Sequence, residues 1–66
     1  MDNYQLRVIE EKTELDKKLE SLNAFLASDS FNNVKPYQQE KLKQQRFIMQ
    51  EYSEILKSRI SDFNKE

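Results

Sequence analysis

In the first half of the chain, Tyr4, Val8, Leu15, Leu19, Leu22 and Leu26 recur in steps of three and four, with one full heptad between Val8 and Leu15. That spacing sets them on a single helical stripe. Glu, Lys, Leu and Gln fill the positions between, and neither Pro nor Gly interrupts them, so the pattern predicts a helix over residues 2–27. Turn formers then concentrate in Ser28-Asp29-Ser30-Phe31-Asn32-Asn33-Val34-Lys35-Pro36. Pro36 biases Lys35 away from helical geometry and suits the first turn of a following helix, which fixes a loop at 28–35 and a second helix at 36–63. Phe31 and Val34 are the apolar members of the loop and are expected to plug its end of the molecule.

Along the second helix Leu42, Gln45, Met49, Tyr52, Leu56, Arg59 and Phe63 alternate in steps of three and four, a seam continuous in spacing but not in polarity. Two helices of this length joined by a short loop fold back on one another. The expected class is all-α, an antiparallel two-helix hairpin of one domain, with Leu22 level with Leu42, Leu15 with Met49 and Val8 with Leu56. No single helical face holds all of Arg46-Phe47-Ile48-Met49. At about 100° per residue, Met49 faces the first helix, Ile48 and Ile55 fall on the seam's shoulder, and Leu6, Ile9 and Phe47 point away from it.

Chain size turns those leftover residues into a prediction. A 66-residue domain has a small core and needs a staple, yet the chain has no cysteine and no histidine, which removes disulfides and ordinary zinc sites. Oligomerisation remains, so Leu6, Ile9, Phe47, Ile48 and Ile55 are the expected contacts of a homo-oligomeric helical bundle. Burying each such side chain is worth roughly 1.5 to 3 kcal/mol. The absence of glycine excludes phosphate-cradling loops and nucleophile elbows. A net charge of -1 supplies no general field for DNA or RNA. The polar start MDNYQLRVIEEK and the lack of a long apolar stretch point to no leader and no membrane span, and so to the cytoplasm.

Polar residues on the seam carry the candidate chemistry. Glu11 and Lys12 straddle the stripe of the first helix, and Gln45 and Arg59 occupy seam positions of the second. They set register or snorkel to water in one reading. In the other, Arg7, Glu11, Gln45, Tyr52 and Arg59 line a ligand site: Arg offers a planar fork to phosphate, Tyr a stacking face and hydroxyl, Glu an acceptor for base or ribose donors. Lys17, Lys18 and Arg46 form a second candidate anion patch nearer the loop. Glu10, Glu11 and Glu14 read as a solvated acidic face with no metal, and a bare hairpin offers no water-excluding wall for catalysis, so no enzyme and no cofactor are expected.

Gln5-Leu6-Arg7-Val8-Ile9-Glu10-Glu11-Lys12, then Glu14-Leu15, Lys18-Leu19, Leu22 and Phe25-Leu26, resemble a family of short phage proteins. Leu42, Gln45, Met49, Tyr52, Ile55-Leu56 and Arg59-Ile60 extend the likeness over the second half. These are small helical-hairpin proteins of crAss-like and other tailed phages, similar in architecture to the hairpin domain of anti-CBASS and anti-Thoeris sponges. The resemblance implies a homo-oligomer that sequesters, without cleaving, a cyclic nucleotide or an ADP-ribose-derived second messenger in the host cytoplasm. It also implies ligand contacts at Arg7, Glu11, Gln45, Tyr52 and Arg59. The competing expectation is a structural hairpin that oligomerises or docks on a host or virion protein through its outward apolar residues.

Overall fold

The computed structural model describes residues 1–66, and helix fills most of them. Helix α1 runs Asn3–Leu26 and α2 runs Pro36–Asp62. Between them Asp29–Asn33 makes a 3-10 helix, and Phe63–Lys65 closes the chain in another. There is no strand. The helices lie antiparallel: Tyr4 meets Phe63 at the open end, with ring centroids 5.9 Å apart and planes at 81°, and Lys12 reaches Ser53 midway along. The molecule is a rod of 47 × 15 × 14 Å.

Local chemistry sets each boundary. The Asp2 amide donates to Gln5 Oε1 at 3.0 Å, which occupies a donor that the start of α1 would otherwise leave unpaired. At the far end the Ser28 hydroxyl donates to the Phe25 carbonyl at 2.6 Å. The loop closes without a single positive φ, which is how a chain with no glycine makes this turn. Lys35 is extended and Pro36 opens α2, as the sequence predicts. Gln39 reaches back from α2 and gives its two amide hydrogens to the carbonyls of Phe31, at 3.0 Å, and Val34, at 2.9 Å. Phe31 and Val34 are half-buried, and the Phe31 ring stands edge-on to Phe25 at 6.1 Å.

The core is thin. Leu56 is fully enclosed and Val8 is 6% exposed; Gln5 and Ser53 are the other buried residues. Leu15, Leu19, Leu22 and Leu26 continue the seam on α1 as half-buried side chains. On α2 the seam differs from the expected one. Leu42, Met49, Leu56 and Phe63 face α1, but Gln39, Ser53 and Ile60 share that face, while Gln45, Tyr52 and Arg59 are exposed. Three-and-four alternation can be phased two ways, and the size of Ser53 decides between them. A small hydroxyl residue lets Lys12 and Asp16 of α1 approach and bond it, whereas a tyrosine there would hold the helices apart.

This rephasing rotates the outer edge of α2 as well. Ile48 and Ile55 leave the shoulder for the solvent side, at 64% and 57% exposure, beside Phe47 at 63%. Leu6 is exposed on α1, and Ile9 is half-buried rather than outward. Glu14 pairs with Lys17 at 3.5 Å, an exposed contact of small energetic worth. No helix is long and apolar enough to cross a membrane.

Candidate functional site

Two neighbouring polar crossings join the helices, and they point to opposite sides of the rod. Successive residues of an α-helix are about 100° apart, so Glu11 and Lys12 diverge, as do Tyr52 and Ser53. The seam runs between them.

On one side Lys12 Nζ contacts Asp16 at 2.6 Å and Ser53 Oγ at 3.2 Å, and the Ser53 hydroxyl donates to the other Asp16 oxygen at 2.5 Å. The three groups satisfy one another. Lys12 keeps 23% of its side chain exposed, so its charge is partly withdrawn from water and depends on that carboxylate. The bond from Lys12 and then the bond from Ser53 hold the Asp16 carboxyl below its usual value of 3.8, against the opposing effect of burial. Asp16 and Ser53 are absent from the sequence-derived site. Only the partner-seeking Lys12 on the seam hinted at them, because nothing in a linear pattern says which serine will face it.

On the other side the Tyr52 hydroxyl donates to Glu11 Oε2. That bond to a carboxylate, followed by burial and the negative charge of Glu11, raises the Tyr52 pKa above 10.0, while the positive charge of Arg59 pulls it down. Tyr52 therefore stays a neutral donor, and Arg59 stands close enough to act on it electrostatically. Arg7 lies one turn before Glu11 on the same strip of α1, and Gln45 two turns before Tyr52 on the same strip of α2. All five side chains are exposed. Neither Arg7 nor Arg59 forms an ion pair, since the pairs that do form use Lys12, Lys17, Lys43 and Lys65. The face thus holds two unspent guanidinium forks around an ordered Tyr–Glu pair, a set of groups suited to phosphate, an aromatic ring and hydroxyl donors.

The depth of this face is modest. A shallow depression lined by Asn3, Leu6, Arg7 and Glu10 adjoins it at the open end. Tyr52 and Arg59 line no hollow within one chain, as expected of a rod only about two helices wide.

A protein-family model described as Sequestin matches residues 2–62 of the chain. A protein of Enterobacteria phage T4, described as an uncharacterized 7.5 kDa protein in the denB-rIIB intergenic region, is 42% identical over 60 residues. The alignment covers 91% of this chain and 94% of that protein. No solved structure matches. The likeness to short phage proteins read from the sequence therefore stands at the level of a small phage protein family.

Proposed function

We propose that this chain, which belongs to the Sequestin family, is a phage anti-defence sponge: a homo-oligomer that binds and holds a cyclic nucleotide or ADP-ribose-derived immune signal without cleaving it, in the host cytoplasm. The observation that carries this reading is the exposed crossing of Tyr52 and Glu11, flanked by the unpaired Arg59 and Arg7. Arg59 and Arg7 supply charge-assisted hydrogen bonds to phosphate, Tyr52 a ring for a base, and Glu11 and Gln45 polar partners for base or ribose. The family's name, which suggests sequestration, and the phage origin of the T4 relative agree with this role. A trap needs tight ground-state binding and no group that favours a transition state, so it can dispense with acid, base and nucleophile.

Enclosure comes from a second copy. Phe47, Ile48 and Ile55 form an outward apolar edge on a domain with two buried hydrophobic side chains, and covering that edge with another chain would supply a wall for the adjoining ligand face. The test is calorimetric titration of purified protein with a panel of cyclic di- and trinucleotides and cyclic ADP-ribose isomers, followed by heat release of the bound molecule and its mass. Binding of at least one, with the ligand recovered intact, is expected. A folded, oligomeric protein that binds none of them overturns the proposal.

The exposed Phe47, Ile48 and Ile55 also favour a second reading, a structural hairpin that docks on a host or virion protein. In that case Phe47→Asp abolishes capture of the partner and Arg59→Ala leaves it unchanged. The sponge reading expects Arg59→Ala to abolish ligand binding in a chain that still oligomerises.

A further inference from the structure

The opposite side of the rod carries a separate basin at the closed end. Asn23, Leu26, Ala27, Phe31, Lys43 and Arg46 line a shallow depression of about 300 Å³ there, broadly open to solvent. We infer that this basin is a second anion site, built for a nucleoside monophosphate: Arg46 and Lys43 hold the phosphate, and the base lies on the floor of Leu26, Ala27 and Phe31.

Three features carry the assignment. The first is unspent bonding capacity. The Arg46 guanidinium enters no ion pair, Lys43 has only an exposed contact with Glu40 at 3.5 Å, and no carboxylate lines the basin. An Arg fork beside an ammonium is the pairing that a doubly charged phosphate monoester takes up best. The second is local charge. Residues 15–48, the closed half, carry six cations against four anions, whereas the rest of the chain carries five against eight, so an anion is favoured at this end of a molecule whose net charge is -1.

The third is a fixed apolar floor. The Phe31 ring packs edge-on against Phe25, and Gln39 holds the Phe31 backbone through its carbonyl, so the floor is in place without a ligand. Asn23 adds an amide that can both give and accept a hydrogen bond at the rim. Of the basic patch expected from the sequence, only Arg46 belongs to this basin. Lys17 is turned to Glu14, and Lys43 stands in its place.

The inference does not rest on the sponge reading. Arg46 and Arg59 are 13 residues apart on α2, about 20 Å along the axis, and lie on different sides of it. Chemical-shift perturbation of the full chain by NMR separates the two sites. With adenosine 5′-monophosphate the Arg46 side-chain Nε–H, the Asn23 side-chain amide and the Phe31 backbone amide are expected to shift together. Adenosine alone and inorganic phosphate alone should each bind at least about tenfold more weakly. Arg46→Ala should weaken adenosine monophosphate about tenfold or more, and Arg59→Ala should leave it unchanged. Arg46 is exposed, so its removal spares the fold. Absence of those shifts at millimolar ligand, shifts confined to Arg7, Tyr52 and Arg59, or phosphate binding as tightly as the nucleotide overturns the assignment. Loss of cyclic-nucleotide binding with this site intact overturns only the sponge reading.

Discussion

The two crossings sit one residue apart on both helices and use similar ingredients, yet one is closed and the other open. Lys12, Asp16 and Ser53 bond one another in a closed triad, and no buried side-chain polar atom in the molecule lacks a partner. Glu11 and Tyr52 bond each other as well, but Arg59 and Arg7 beside them have no carboxylate of their own. A satisfied network fixes register and offers little to a ligand, whereas an incompletely paired one keeps its strongest donors free. On the proposed reading, polar residues at this helix–helix seam divide into structural and ligand-facing groups according to what remains unpaired.

The most severe way to break this contrast is to remove the seam beneath both crossings. Leu56→Ala empties the one fully enclosed side chain and should cost about 2 to 5 kcal/mol, enough to unfold much of so small a domain. Urea unfolding followed by circular dichroism reads it, and ligand binding should fall in parallel. Arg59→Ala comes next and should act on the open crossing alone. An affinity loss of about 1.5 to 3 kcal/mol for a phosphate-bearing ligand, by calorimetry, should accompany a stability change within about 0.5 kcal/mol.

Asp16→Ala reverses those readouts. It strips Lys12 of its carboxylate and should cost about 1 kcal/mol of stability while leaving ligand affinity intact. The smallest effects are in pH dependence. The lowered Asp16 pKa means that its contribution is fully present above the ordinary value of 3.8 and is lost as the pH falls through the folded value. Tyr52 behaves in the opposite sense: its raised pKa makes a contribution that is complete below 10.0 and is lost as the pH rises through the folded value. NMR titration should show Ser53→Ala moving the Asp16 midpoint up, and Glu11→Gln moving the Tyr52 midpoint down, each without changing the other.

The helices, the loop and the start of α2 at Pro36 could be read from the sequence because each depends on local chemistry: periodicity, turn formers and the backbone limits of proline. The phase of the α2 seam could not. Gln45, Tyr52 and Arg59 satisfy the same three-and-four spacing as the true seam, and choosing between phases requires knowing that Lys12 and Asp16 stand opposite Ser53. The same limit touched the candidate site. Glu11 and Tyr52 could be named from residue type, but that they bond each other, and that Arg59 is exposed beside them, follows from the shifted phase. Ile48 and Ile55 moved outward with it.

The thinness of the rod bears on how such a protein can change over generations. With 4 of 66 residues buried, few positions are pinned by packing, and substitutions elsewhere mostly shift stability by no more than about 0.5 kcal/mol. Arg7, Glu11, Gln45, Tyr52 and Arg59 all lie among those unpinned positions. If that face holds the proposed ligand, its preference can be rewritten one residue at a time while the hairpin beneath stays the same, a form of evolvability that a deep enclosed pocket, whose lining is also its core, does not allow.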